Sequence, residues 1–142
     1  MRQSAYSLIL MLLTAGGVFS QPAEHPDPIG DNLFPPELVM QHQQAIGLTE
    51  EQKTALKSDM QSAQARFTEL QWALQEEMER MATVAKAKRI DEQQALAQLD
   101  KVLGVEREIK RAQLGLVIRI KNRLTPDQQA QLQAVRSKLR DK

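Results

Sequence analysis

The sequence predicts an all-α protein: a long antiparallel helical hairpin with short flanking helices, four helices in all. Apolar residues recur three and four positions apart through two long stretches, about residues 50–88 and 91–122. Neither proline nor glycine interrupts the first stretch. Between the stretches, Asp91 with Gln94 three residues later forms a helix-start signal. Two long amphipathic helices joined by a short turn pack side by side, which gives the hairpin.

The N-terminus has the features of a secretory signal peptide. Arg2 precedes an apolar run over residues 5–15, and the small residue Ser20 precedes the cleavage site that we expect before Gln21. The run is short for a membrane span, although a retained anchor is the alternative. The chain has no cysteine, which excludes a lipoprotein anchor and fits an oxidising compartment. We therefore expect cleavage of residues 1–20, a periplasmic location and no stable membrane insertion afterwards.

Residues 21–33 are rich in proline and poor in apolar side chains, which predicts a flexible tether. The helical domain then covers residues 34–142. It opens with a short helix that begins at the pair Pro35-Pro36 and runs to about Ala45, with Gly47 as its stop signal.

A Leu-Thr-x-x-Gln phrase occurs twice, and each copy predicts a helix start. The threonine hydroxyl can accept from the backbone amide three residues on, while the glutamine side chain reaches back to the threonine amide. The first copy begins the first long helix and the second begins the last helix. The six motif residues are predicted to be structural caps rather than ligands: Leu48, Thr49, Gln52, Leu124, Thr125 and Gln128.

Each helix has an apolar stripe that should face the hairpin core. On the first long helix the stripe is Leu56, Met60, Ala63, Phe67, Leu70, Leu74, Met78, Met81 and Ala85. On the second it is Ala95, Leu99, Val102, Val105, Ile109, Ala112, Leu116 and Ile120, and on the last helix Leu132, Val135 and Leu139. Because one hairpin is thin and has a modest core, we expect a homodimer.

A second apolar face lies on the second long helix, roughly 120° round from its inner stripe at about 100° per residue. Its members are Leu96, Leu103, Leu114 and Ile118, accompanied by Arg107, Lys110 and Lys121. This face needs a terminal helix, a dimer mate or a client protein as its partner. Trp72 projects from the first long helix away from the inner stripe, and we assign it to dimerisation first and to client contact second.

The two parts of the chain differ in net charge. Residues 21–100 carry 7 basic and 14 acidic side chains, whereas residues 101–142 carry 11 basic and 4 acidic ones. The basic part lacks the aromatic platform typical of nucleic-acid binding, so no nucleic-acid partner is expected. We also expect no enzyme, because the chain has no cysteine nucleophile, phosphate-binding glycine loop or paired-histidine zinc motif.

The paired motifs, the signal peptide and the long hairpin together resemble the periplasmic Spy/CpxP family, also called the LTxxQ family, over residues 35–140. The resemblance implies a four-helix, cradle-shaped homodimer that acts in envelope stress. Some members are ATP-independent holdase chaperones for unfolded or misfolded envelope proteins, and others regulate a sensor kinase. A neighbouring branch, the periplasmic heavy-metal-resistance proteins, shares the hairpin and binds metal through histidine, methionine and acidic side chains.

The function expected from the resemblance is therefore a holdase or stress-response modulator without a cofactor. The alternative is a heavy-metal-binding sensor or resistance protein on the same scaffold. Under that alternative the weak candidate ligands are His42, Met40 and Glu37, which would bind copper or zinc weakly. Methionines on the inner stripe are assigned to packing.

Overall fold

The computed structural model describes residues 27–141, so the predicted signal peptide and most of the predicted tether lie outside the described residues. The all-α prediction is confirmed: the described part has four α-helices, a short 3-10 helix (Gly30–Asn32) and no strand. The α-helices are α1 (Pro36–Gln41), α2 (Glu50–Ala85), α3 (Glu92–Arg123) and α4 (Pro126–Arg140). Within residues 27–141, no helix combines the length and the hydropathy of a membrane span.

Helices α2 and α3 form an antiparallel hairpin joined by residues 86–91. Gln98 near the start of α3 donates to Glu77 late in α2, while Arg123 at the end of α3 contacts Asp59 early in α2. Helix α2 ends at Ala85, three residues before the predicted end, and the amide of Lys86 closes its last turn on the carbonyl of Ala82. Helix α3 starts where predicted, with the Asp91 carboxylate accepting from the amide of Gln94 at 3.0 Å.

Helix α1 is shorter than predicted because the chain turns at His42 rather than at Ala45. The turn ends at Gly47, which has φ of +64°, the left-handed conformation that glycine adopts without strain. The amide of Leu48 then reaches back to the carbonyl of Gln43 at 3.0 Å. Ile46 and Leu48 are buried as a result.

The core is concentrated at the open end of the hairpin, opposite the 86–91 turn. There α1, the following turn and α4 cover the ends of α2 and α3. The buried cluster consists of Phe34, Leu38, Val39, Ile46, Leu48, Leu56, Ala63, Leu116, Ile120, Leu124 and Leu132, with Met60, Phe67 and Val135 packed against it.

Towards the 86–91 turn the predicted stripes are only partly covered. Leu74, Met78 and Met81 are half-buried, and Ala85 is exposed, which corrects its assignment to the inner stripe. Only one helix packs on each stripe in this half of the hairpin. Leu70 and Val102 are buried in this way, but the stripe residues of α2 nearer the turn are not. Gln98 takes a buried position that the prediction omitted, because its amide donates to the carbonyl and the carboxylate of Glu77 at 2.8 and 2.7 Å.

Asn32 and Leu33, which directly precede the predicted helical domain, contact its helices. The ammonium group of Lys121 donates a hydrogen bond to the carbonyl of Asn32 at 2.8 Å, and the guanidinium of Arg136 donates one to the carbonyl of Leu33. The Arg136 guanidinium also lies 5.3 Å from the centre of the Phe34 ring, in cation–π range. The last two residues of the predicted tether are therefore held against the helices.

Leu139, predicted to lie on the apolar stripe of α4, is 59% exposed, whereas Leu132 is fully buried. We expect Leu132→Ala to lower the free energy of unfolding by about 3 kcal/mol, because it leaves a cavity in the core. The matched change Leu139→Ala should cost less than about 0.5 kcal/mol. Urea unfolding followed by circular dichroism measures both. Equal costs for the two variants would contradict this location of the core.

Candidate functional site

Both copies of the Leu-Thr-x-x-Gln motif form complete capping boxes. The hydroxyl of Thr49 accepts from the amide of Gln52 at 3.1 Å, and the amide of Thr49 donates to the Gln52 side chain at 3.0 Å. In the second copy, the corresponding distances between Thr125 and Gln128 are 3.2 and 2.9 Å. The two threonines share the same backbone conformation, with φ of −71° and ψ of 159°. Helices α2 and α4 therefore start with the same local geometry.

The two motif copies also bind each other, which the sequence analysis missed. Gln52 Nε2 donates to Gln128 Oε1 at 2.8 Å, and Gln128 Nε2 donates to Gln52 Oε1 at 3.0 Å. Each amide also donates to a backbone carbonyl across the pair, Gln52 to Arg123 at 2.8 Å and Gln128 to Gly47 at 3.3 Å. Two sites 76 residues apart in sequence are thus joined by four hydrogen bonds. Leu48 and Leu124, which precede the threonines, are both buried in the core.

The glutamine at the third helical position of each capping box could have indicated this pairing. A capping box accepts either glutamate or glutamine at its third helical position, because only the side-chain oxygen is used. Both copies have glutamine. A reciprocal pair requires a donor and an acceptor on each side chain, and glutamine supplies both, whereas two facing carboxylates would repel each other.

An ion pair braces the same end of the hairpin. Arg123 donates to the two carboxylate oxygens of Asp59 at 2.8 and 3.3 Å, and the carboxylate side chain is only 13% exposed. The hydrogen bond from Arg123 lowers the pKa of Asp59, against the opposing effect of desolvation, and the charges of Arg123 and Arg119 lower it further. Arg123 therefore ties α3 to α2 through its carbonyl and through its guanidinium.

The candidate metal ligands lie on and directly after α1. Glu37 is exposed, Met40 is half-buried, and His42 is the residue at which the helix ends. The Nδ1 atom of His42 lies 2.9 Å from the carbonyl oxygen of Leu38. Within residues 27–141, no three histidine, aspartate or glutamate side chains are grouped to hold a metal ion.

The second apolar face of α3 is uncovered in the single chain. We call Leu96, Leu103, Leu114 and Ile118 the outer row; their exposed fractions are 52, 49, 42 and 41%. Within residues 27–141, α4 does not cover the outer row, so the expectation that the terminal helix is its partner is wrong. Arg107 and Lys110 are exposed beside it, whereas Lys121 is half-buried and is engaged with Asn32.

Trp72 is 63% exposed on α2, on the side away from the buried Leu70. Glu69 and Glu76, three residues before and four after it, lie on the same helical face. The structure therefore leaves one aromatic side chain near carboxylates on α2. On α3 the aliphatic row has Glu92 and Asp100 beside Leu96, and Arg107 and Lys110 beside its middle.

The glutamine pair can be tested by a change that keeps the capping box. Gln128→Glu retains the oxygen that caps Thr125 but removes the amide donor and faces Gln52 with a carboxylate in a buried position. We expect a loss of about 1–3 kcal/mol in the free energy of unfolding at neutral pH. Gln131→Glu, on an exposed position of α4, is the control and should change it by less than about 0.5 kcal/mol. Thermal or urea unfolding measures the free energy of unfolding of both variants. Equal effects of the two changes would show that the glutamine pair does not stabilise the fold.

Comparison with known proteins identifies the scaffold. A family model described as heavy-metal resistance matches residues 7–131, which is most of the chain. Searches of curated proteins and of solved structures give no significant match. The matched family is the metal-resistance branch that the sequence analysis placed beside the Spy/CpxP proteins. With its helical hairpin and this match, the chain belongs to the heavy-metal resistance family.

Proposed function

We propose that this protein is a periplasmic heavy-metal-resistance protein that binds a soft or borderline metal ion through His42. The family match supports the function class. The signal-peptide pattern of residues 1–20 supports the location. The observation that carries the choice of ligand is the orientation of the His42 ring.

A carbonyl oxygen can only accept a hydrogen bond, so the contact with Leu38 requires that Nδ1 of His42 carries the proton. In the neutral ring, Nε2 then holds the free lone pair. A histidine that donates one ring N–H to a backbone carbonyl is the usual arrangement of a metal ligand, since the carbonyl fixes both the tautomer and the ring orientation. Hydrogen bonding thus prepares Nε2 to bind a cation.

Met40 and Glu37 supply the other candidate donors. They are three positions apart on α1 and therefore lie on the same side of that helix. An imidazole with a thioether favours copper(I), whereas the addition of a carboxylate also suits zinc. We propose copper(I) as the preferred ion, with His42 as principal ligand and Met40 as the second.

Titration of the purified protein with copper(I), in competition with a chromogenic chelator, tests this proposal. His42→Ala should weaken binding by at least about tenfold, or about 1.4 kcal/mol, because it removes the coordination bond from Nε2 to the ion. Met60→Leu removes a thioether that packs against the core and should leave affinity unchanged. Wild-type affinity in His42→Ala, or no binding by the wild-type protein, would contradict the assignment.

The outer row favours a second candidate function, that of a Spy/CpxP-type holdase or stress-response modulator. Four exposed aliphatic side chains along one helix offer apolar contact without demanding a defined shape. Arg107 and Lys110 beside them attract acidic, partly unfolded chains over a longer range. We propose unfolded or misfolded envelope proteins, or a sensor component, as partners of this surface, and a homodimer that buries Trp72.

Suppression of aggregation of a chemically unfolded model protein tests the holdase candidate, with and without copper. The double change Leu114→Ser with Ile118→Ser should reduce suppression severalfold, because each buried leucine or isoleucine side chain contributes about 1.5–3 kcal/mol of contact. Gln113→Ser, on an adjacent exposed position, is the control. Absence of suppression by the wild-type protein in both conditions would eliminate this candidate. Sedimentation of the wild-type protein and of Trp72→Ala measures the oligomeric state and thereby tests the proposed homodimer.

A further inference from the structure

We infer that a cleft between α2 and α3 binds a small multivalent oxyanion of the phosphate class. The cleft has a volume of about 270 Å³. It lies beside the core, since the core residue Ala63 lines it. Its charged lining residues are three arginines, Arg66, Arg111 and Arg119, and one carboxylate residue, Glu108. We call this feature the arginine cleft.

Small side chains create the space. Ser62 and Ala63 on α2 and Ala112 on α3 all line the cleft, and none of these side chains is large enough to fill it. Gly115 lies one turn before Arg119, and a methyl group added there would come within 3.4 Å of Nη1 of that arginine. The side chain of Arg119 therefore extends over Gly115, towards the N-terminal end of α3.

The arginines are weakly engaged by carboxylates. Arg111 lies 3.7 Å from Glu108 and Arg119 lies 4.0 Å from Asp59, both beyond hydrogen-bond distance. Asp59 is itself held by Arg123 at 2.8 Å, so it neutralises Arg119 only in part. Arg66 does bind Glu69 at 3.1 Å, but that pair joins two exposed side chains on one helix, and such pairs contribute little.

The chemistry and the size of the arginine cleft define the ligand class. Each guanidinium presents a planar fork of N–H donors that matches two oxygens of a phosphate or sulfate group, and three such forks suit a multiply charged ion. A volume of about 270 Å³ lies below the usual range for drug-sized ligands. The ligand is therefore an inorganic oxyanion, a short phosphate chain or a phosphate headgroup.

Calorimetric titration with inorganic pyrophosphate at low ionic strength tests the inference. We expect binding that weakens as sodium chloride is added, and about tenfold weaker binding in each of Arg111→Gln and Arg119→Gln. Ser62→Leu should weaken binding without any change of charge, because it fills the mouth of the cleft. Circular dichroism and thermal unfolding verify that the variants fold.

Arg80→Gln and His42→Ala are the controls. Arg80→Gln removes one positive charge from an exposed site of α2 outside the cleft, and it should leave pyrophosphate affinity unchanged. His42→Ala should also bind pyrophosphate normally, which separates this inference from the proposed metal site. Equal losses in Arg80→Gln and Arg119→Gln would overturn the inference, because they would indicate a general charge effect.

Flotation with vesicles distinguishes a free anion from a lipid headgroup. Pyrophosphate binding that depends on the cleft arginines supports the inference with a free anion. Binding to phosphatidylglycerol vesicles, but not to phosphatidylcholine vesicles, supports it with a headgroup if Arg111→Gln abolishes that binding. Failure of pyrophosphate to bind, together with vesicle binding that is absent or unaffected by Arg111→Gln, would overturn it.

Discussion

The paired amides of Gln52 and Gln128 are the contact on which the arrangement of this protein depends. Each glutamine caps its own helix and at the same time binds the other glutamine and a backbone carbonyl beyond it. The start of α2, the end of α3 and the start of α4 are thereby fixed at one point. Leu48 and Leu124 enter the core from the same point, so the polar contact and the apolar packing support each other. Arg123 adds an ion pair to Asp59 beside it.

This concentration of contacts gives the molecule two unequal halves. At the open end four elements surround the core, and residues such as Leu56, Ile120 and Leu132 are almost completely buried. Towards the 86–91 turn only α2 and α3 pack together; Leu70 and Val102 are still buried there, but Leu74, Met78 and Met81 are half-buried. The hairpin surfaces that face outwards are therefore not needed for the core. They differ in their charged neighbours: Trp72 lies near Glu69 and Glu76, whereas the outer row has carboxylates beside Leu96 and the cations Arg107 and Lys110 beside its middle.

Membership of the heavy-metal resistance family gives this scaffold a functional class. The sites proposed above lie on different parts of the fold. The proposed metal ligand His42 lies at the turn after α1, close in sequence to the core residues Leu38 and Val39, so its orientation is tied to the best-packed part of the fold. The outer row and the arginine cleft lie on the hairpin itself. Apolar contact, cation binding and anion binding would thus use separate groups of side chains.

The four helices, the capping boxes and the apolar stripes can all be predicted from the sequence, because they depend on residues within a turn or two of each other. The sequence also pointed to the uncovered outer row through periodicity alone. Tertiary packing determines which of the predicted stripe residues are buried: Leu132 is covered, while Leu139 and Ala85, with equally good spacing, are not. It likewise determines that Lys121 binds Asn32 and that the two glutamines meet. Helical periodicity gives the direction of a side chain, but burial and pairing depend on what the rest of the chain brings to that side.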